Sequence, residues 1–366
     1  MKKVECESSR MRPGMLPLAG ALLLAILAGP AAGRLEACTA FFHEAPGGPI
    51  YGVNLDFLIP TEGLILVNRR GVTKTHISRG EGLGPFPWTS EYGSVTFNIA
   101  GREFAWGGMN EAGLVVTGLE LRTGKYPKPD GRPAFDVGSY VQYLIDTCGS
   151  VEDVIKAQEE IRPDAGRHPA NHLFVADSSG DCAVLEYIGG RLVVYRGDEL
   201  PVQALSNIRY DRALWAWEHG RRKWWHPNPG ASSERFAAAA DRMRRFSGND
   251  AVSYAMATLT RSVVSPYTQW NVVYDLERRE VRYRSNVRSA VKVLHMDAFD
   301  FSPEASTMML AVNAPVHGNA EEAFGEFNGL INRRVFDRHC ALADLRIPAE
   351  VSRDLQRIFE GYEPQP

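Results

Sequence analysis

The stretch that decides the fold runs Ala37-Cys38-Thr39-Ala40-Phe41-Phe42 and continues, after a Pro-Gly-Gly-Pro turn, as Tyr51-Gly52-Val53-Asn54-Leu55-Asp56-Phe57. Its two apolar runs have the length of strands, and the turn between them predicts a hairpin. If the chain is cut before Cys38, the mature protein begins with a thiol and a free α-amine on one Cα, a nucleophile and a base in a single residue. The amine titrates at about 7.7–8.0 and the thiol at about 8.5, so both are poised near neutral pH. Asp56, at the end of the second strand, would hold that amine in place.

The residues before Cys38 have the pattern of a secretory signal peptide. A positively charged start is followed by an apolar run from Leu16 to Leu27, which is shorter than the roughly 20 residues of a membrane-spanning helix. Small residues at 30–33 suit a signal peptidase. We therefore predict a signal peptide at residues 1–37, with 34–37 as a short propeptide for self-removal if cleavage follows Gly33. A single domain at 38–366 would then be periplasmic or secreted, with no stable membrane span. A lipoprotein is the alternative, but Glu36 fits that motif poorly.

The composition is that of an ordinary globular protein. The chain has 366 residues, of which 44% are hydrophobic and 23% charged, enough to bury a substantial core. Its net charge is −3 with no basic stripe separated from acids, which argues against nucleic acid as a partner. The cysteines after the signal are scattered, which is not a disulfide framework, and no Cys/His cluster has metal-ligand spacing. We expect neither a metal nor an organic cofactor.

The order of predicted elements indicates an α+β protein. Strand hairpins come first, then a helical pair, strands, helices and again strands, so helices should cover the faces of antiparallel sheet. Leu64–Val67 and Val72–His76 are predicted to pair as a hairpin, and Gly80–Ser90 to form a loop. Helices are predicted at Phe135–Thr147, from Ser150 through Glu160, and at Ile208–His219, Ser232–Phe246, Asp250–Leu259, Asn319–Arg334 and Pro348–Tyr362.

Several segments, in order and over about Cys38 to Tyr283, resemble one family. The matching pieces are Cys38-Thr39, Gly52 to Asp56, Gly108 to Leu114 with Gly118-Leu119-Glu120, His172 to Asp177, Leu205-Ser206-Asn207, Glu234-Arg235-Phe236, Arg261, and Tyr267 to Trp270 with Val273 to Leu276. Together they resemble the choloylglycine hydrolase family of bile salt hydrolases, penicillin V acylases and related linear-amide hydrolases. The resemblance implies an N-terminal nucleophile hydrolase with a four-layer αββα sandwich. The Thr-Gln-Trp stretch and the export signal resemble the Gram-negative branch.

The resemblance assigns roles to five residues. Cys38 matches the nucleophile and Asp56 the carboxylate beside the terminal amine. Asn207 matches the side chain that donates to the oxyanion, and Glu120 the position whose backbone N–H does the same. Arg261 matches the late arginine near the nucleophile. Without the resemblance, Asp56 reads as a turn residue, Asn207 as a helix cap, and Glu120 and Arg261 as solvated charges.

Val53 departs from the family pattern. The family usually has an arginine before the Asn-Leu-Asp run, where a positive charge favours the thiolate. Either Arg261 suffices, or another basic residue replaces that arginine in space. Otherwise the thiol is less activated or the substrate differs.

The leading hypothesis is an exported amidase, matured by autocatalytic processing. Through a thioester on Cys38 it would cleave a linear non-peptide amide whose acyl group is apolar or aromatic. One alternative keeps the nucleophile but passes the acyl group to another acceptor, as in the isopenicillin N or acid-ceramidase type of acyltransferase. Another is a catalytically inactive periplasmic binding protein of the same fold. A Cys/His dyad using His43, His76 or His172 is disfavoured because no papain-type sequence surrounds Cys38. A homo-oligomer is left open.

Overall fold

The structure, a computed structural model, describes residues 38–76, 86–164, 169–220, 232–343 and 349–363. The predicted signal peptide at 1–37 and most of the predicted loop at 80–90 lie outside these ranges. None of the helices described is both long and apolar enough to cross a membrane.

The described chain is rich in strand. The strands are β1 Thr39–Ala45, β2 Gly48–Asp56, β3 Leu64–Asn68, β4 Thr73–His76, β5 Phe86–Thr89, β6 Ser94–Asn98, β7 Ala105–Asn110, β8 Val115–Leu121, β9 Ala134–Phe135, β10 Arg162–Pro163, β11 Ala170–Ala176, β12 Cys182–Ile188, β13 Arg191–Arg196, β14 Ala204–Ser206, β15 Thr268–Asp275, β16 Glu280–Ser285, β17 Lys292–His295, β18 Met308–Ala311, β19 Gly318–Asn319 and β20 Gly325–Glu326. The helices are α1 Val137–Thr147, α2 Val151–Glu160, α3 Tyr210–Glu218, α4 Ser232–Arg244, α5 Ala251–Ala257, continued by a π-helical turn at Thr258–Ser262, α6 Gly329–Leu342 and α7 Ala349–Glu360.

Two large sheets form the centre of the fold. One has seven strands in the order β14-β1-β2-β15-β16-β17-β19, and the other has nine in the order β13-β12-β11-β8-β7-β6-β3-β18-β20. Side chains alternate across the larger sheet: Val115 and Leu119 of β8 join the main core between the sheets, while Val116 joins a second core under α1 and α2.

Helices cover the outer face of each sheet. Helix α1 packs on β7 and β8, whereas α4 packs on β1 and α5 on β2 and β15. The layers are therefore helix, nine-stranded sheet, seven-stranded sheet and helix. The predicted α+β class and αββα sandwich are confirmed.

Three local predictions are wrong. In its described part, the predicted loop at Gly80–Ser90 contains strand β5 at Phe86–Thr89. Strand β3 does not pair with β4; it lies between β6 and β18, while β4 pairs with β5. All five β3 residues are buried, so this strand needs partners on both edges. The last third of the chain also differs, because the helix predicted from Asn319 begins only at Gly329, where the side chain of Asn328 accepts hydrogen bonds from two backbone N–H groups.

Candidate active site

The hairpin β1–β2 brings Cys38 and Asp56 together. Its register pairs Thr39 with Asn54, and β15 joins the other edge of β2 with Thr268 opposite Asp56. Cys38 is 2% exposed, and its Sγ accepts a hydrogen bond from the Asp56 backbone N–H at 3.5 Å. The same Sγ lies 3.7 Å from the Asp56 carbonyl oxygen, which can accept the thiol proton. The thiol is thus fixed at the end of β2.

The Asp56 carboxylate is buried with one oxygen satisfied. Thr268 Oγ1 donates to Oδ1 at 2.5 Å, while Oδ2 is buried with no hydrogen-bond partner among the described residues. Burial raises the pKa of Asp56 to about 6, although the Arg235 charge and the Thr268 and Ser265 hydroxyls oppose the shift. The carboxylate therefore presents an open acceptor to any donor that reaches Oδ2.

Arg235, on α4, is the arginine that the structure places beside this pair. It is 3% exposed, and its Nε donates to Thr39 Oγ1 at 2.9 Å. Burial lowers the pKa of the guanidinium, while the charges of Asp56 and Cys38 act to raise it. A buried cation close to a thiol favours the thiolate.

Arg261 is placed differently from the prediction. It is exposed, in the π-helical turn that follows α5. Arg235 is instead the arginine whose charge acts on Asp56 and Cys38 in the structure. The sequence held a signal for it: Arg235 lies in the matching Glu234-Arg235-Phe236 segment, on a helix whose neighbouring Phe236 and Ala239 are buried.

Val53 is a core residue. It is fully buried and lies in β2 between Ala40 of β1 and Val272 of β15. Of the alternatives open for this departure, the structure favours a basic residue reaching the thiol from elsewhere, because Arg235 approaches from the helix layer.

Asn207 and Glu120 form a second pair. Asn207 Nδ2 donates to the Glu120 backbone oxygen at 2.9 Å. Pairing of β8 with β7 ends at Thr117, so the strand continues past its neighbour where Asn207 meets it. An amide nitrogen carries two hydrogens, and this bond uses one of them. Asn207 is not the cap of α3, a position held by Arg209.

The two pairs lie at the same end of the β1–β14 ladder. Strand β14 pairs antiparallel with β1, with Ser206 opposite Thr39, so Cys38, just before β1, and Asn207, just after β14, flank the same terminal pair of this ladder. The thiol therefore lies at the end of the ladder from which Asn207 reaches across to β8 of the other sheet.

Three further described cysteines and His172 lie in other elements of the fold, at the end of α1, in β12, in α6 and in β11. Cys148, Cys182 and Cys340 are buried free thiols, and burial raises the pKa of each to about 12. His172 Nδ1 lies 2.8 Å from Glu186 Oε1 in the interior. Across the described ranges, no group of His, Cys, Asp or Glu side chains is arranged to hold a metal ion.

Comparison with known proteins places this geometry in a family. The sequence model of the linear amide C–N hydrolases, choloylglycine hydrolase family, matches residues 38–217. A penicillin V acylase of Pectobacterium atrosepticum is 24% identical over 74% of this chain and 84% of its own. Among solved structures, penicillin V acylase from Agrobacterium tumefaciens superposes with a TM-score of 0.67 at 23% identity, covering 80% of this chain and 98% of that one. A conjugated bile acid hydrolase variant from Clostridium perfringens gives 0.59 at 15% identity, covering 77% and 98%.

The family match begins at Cys38 and includes Asp56, Glu120 and Asn207. The chain therefore belongs to the choloylglycine hydrolase family of linear amide C–N hydrolases, which act on carbon–nitrogen bonds other than peptide bonds.

Proposed function

We propose that the protein is an exported amidase whose mature N-terminus is Cys38, and that this cysteine attacks a linear amide to form a thioester. One observation carries the proposal. The Cys38 thiol lies against the backbone of Asp56, whose buried Oδ2 has no hydrogen-bond partner among the described residues. A free α-ammonium on the same cysteine is a donor suited to that oxygen.

The first step activates the thiol. After removal of residues 1–37, the α-amine of Cys38 takes the thiol proton, directly or through a water. Asp56 Oδ2 accepts a hydrogen bond from the resulting ammonium and orients it. The buried Arg235 charge favours the thiolate and compensates for the apolar Val53.

The second step transfers the acyl group. The thiolate adds to the amide carbonyl, and the oxyanion accepts hydrogen bonds from Asn207 Nδ2 and the Glu120 backbone N–H. Losing one such donor typically costs about 10²–10³ in rate. The ammonium then gives its proton to the leaving nitrogen, the C–N bond breaks and the thioester remains. Water, deprotonated by the same amine, attacks the thioester and releases the acid and the thiol.

The substrate we propose is a small amide with an apolar or aromatic acyl group. The relatives named for penicillin V and for conjugated bile acids support this class. The apolar segment from Leu16 to Leu27, with basic residues before it, supports export to the periplasm or medium.

Intact mass and N-terminal sequencing of the exported protein test the proposal, combined with iodoacetamide labelling at pH 7. We expect a chain that starts at Cys38 and alkylates there faster than at Cys148, Cys182 or Cys340, whose thiols have a pKa raised to about 12. Cys38→Ala should remain folded and cleave nothing in a panel of acyl amides.

Other results would overturn it. A chain that begins elsewhere, a lipidated Cys38 or a Cys38→Ala variant with full activity contradicts the nucleophile. Acyl transfer to an added amine in preference to water would identify an acyltransferase. A free, reactive Cys38 that forms no acyl-enzyme with any amide would identify a binding protein.

A further inference from the structure

Helix α3 begins three residues after Asn207 and receives its cap from another element. Its N-cap residue, Arg209, makes no side-chain cap hydrogen bond. Instead the Tyr210 N–H, the first of the helix, donates to Glu186 Oε1 at 2.9 Å. Glu186 belongs to β12 of the nine-stranded sheet and is fully buried. A carboxylate at a helix N-terminus satisfies an otherwise open N–H and favours the helix dipole.

His172 orients that carboxylate. Its Nδ1 lies 2.8 Å from the same Glu186 oxygen, and both side chains are completely inaccessible to solvent. His172 Nε2 and Glu186 Oε2 are buried without a hydrogen-bond partner in the described chain. Buried polar atoms without hydrogen bonds reduce the free energy of unfolding, so two apolar side chains at these positions would make the core more stable. This arrangement calls for a role beyond packing.

The segment from Asn207 to Tyr210 is thereby tied to one sheet at two points. Asn207 Nδ2 bonds to the Glu120 backbone oxygen on β8, and the Tyr210 N–H bonds to Glu186 on β12. Strand β11, which carries His172, lies between these two strands. The two bonds fix both the position and the direction of the chain that carries the Asn207 amide.

We infer that Glu186, oriented by His172, is a positioning residue for the oxyanion donor Asn207. The inference rests on the proposed function, because the oxyanion role of Asn207 is part of it. A donor must be held within about 0.5 Å of its productive place to act on a developing charge. Glu186 contacts no reacting atom; it sets the start of α3, which sets Asn207.

A double-mutant cycle tests this. We expect Glu186→Ala to lower kcat about tenfold or more, with KM changed less than about twofold, because it acts on a donor to the transition state. Glu186→Gln keeps an oxygen for the Tyr210 N–H and should stay within about threefold of wild type. In an Asn207→Ala background, Glu186→Ala should change kcat by less than about twofold, since the donor that it positions is gone.

Asp136 provides a matched control. It is a buried carboxylate that caps α1, on the outer face of the larger sheet, accepting from the Gly138 and Ser139 N–H groups at 3.0 and 3.1 Å. Asp136→Ala removes a comparable cap and should leave kcat unchanged. An equal loss in Asp136→Ala, or an equal effect of Glu186→Ala with and without Asn207, would show a merely structural role and overturn the inference.

A readout without turnover separates this inference from the proposed function. With ¹⁵N-labelled asparagine, Asn207→Ala identifies the side-chain amide signal of Asn207. We expect Glu186→Ala to shift or broaden that signal and Asp136→Ala to leave it in place. If the wild-type enzyme cleaves no amide but the signal moves, the proposed function fails and the positioning stands. If the signal stays unchanged in Glu186→Ala, the positioning fails whatever the activity.

Discussion

Replacing Asp56 by asparagine should make the protein more stable and much less active. Asp56 is fully buried, and burial raises the pKa of its carboxyl from 3.8 to about 6. At neutral pH the carboxylate is ionised both in the folded and in the unfolded chain, but ionisation is more costly in the fold. Asparagine has the shape of the neutral acid and avoids that cost.

The magnitude follows from the shift. One pKa unit is worth about 1.36 kcal/mol, so the difference between 3.8 and about 6 corresponds to about 3 kcal/mol. Between these values the native state binds more protons than the unfolded state, so wild-type stability falls as pH rises through that window. The advantage of Asp56→Asn should therefore be about 3 kcal/mol at pH 7.5 and shrink to about 1 kcal/mol at pH 4.5.

Urea unfolding of the full chain at both pH values measures this, with the free energy of unfolding of Asp56→Asn compared with wild type. Asp250→Asn is the opposite-sign control, because hydrogen bonds from Ser253 hold the pKa of the exposed Asp250 below its usual range. Removing the Asp250 carboxylate should reduce the free energy of unfolding at neutral pH, and this reduction should become smaller as the pH falls. In the chain that starts at Cys38, the docked ammonium should diminish the advantage of Asp56→Asn.

Two results would refute the reasoning. If Asp56→Asn is no more stable than wild type at pH 7.5, the fold does not disfavour the ionised carboxylate, and burial is offset by its neighbours. If the advantage is the same at pH 4.5 and 7.5, it does not arise from ionisation. Amidase activity that survives Asp56→Asn would contradict the role of the carboxylate in holding the amine.

Two further predictions concern the thiol and the loop after Asp56. Arg235→Met should slow alkylation of Cys38 at pH 7 about tenfold, because it removes a cation that favours the thiolate. Arg261→Met, at an exposed position, should leave the alkylation rate unchanged. Equal rates for the two variants would contradict the role given to Arg235. Gly63 has φ 59°, and a Cβ there would overlap the ring of Trp270, so Gly63→Ala should lower the free energy of unfolding by about 1–3 kcal/mol. An unchanged urea midpoint would show that the loop after Asp56 yields to the extra methyl group.

The Cys38–Asp56 pair was predictable because it is local. Two apolar runs joined by a Pro-Gly-Gly-Pro turn form one hairpin, and hairpin geometry alone returns the second strand to the first residue. The Asn207–Glu120 contact joins residues 87 positions apart on different sheets. Only the family resemblance assigns both residues to one oxyanion, since periodicity gives no distance between sheets.

Two of the errors share a physical origin. Strand periodicity gives the faces of β3 but not its neighbours, so the sequence predicts a β3–β4 hairpin although each strand has a different partner. For the same reason, the sequence does not predict that Arg235 lies beside the thiol. Its helix was predictable, but which strand that helix covers depends on packing, and only packing puts the guanidinium on Thr39 beside the thiol.

The electrostatics of Asp56 favour a functional over a structural reading of this residue. A carboxylate that serves as a turn or cap accepts N–H bonds with its charge and is stabilised by them, as Asp250 is. Asp56 instead has a raised pKa and a buried oxygen without a hydrogen-bond partner in the described chain. The fold thus carries an ionised group at a cost of about 3 kcal/mol. A cation bound at that oxygen would offset the cost. Cleavage before Cys38 creates such a cation, the α-ammonium of the new first residue.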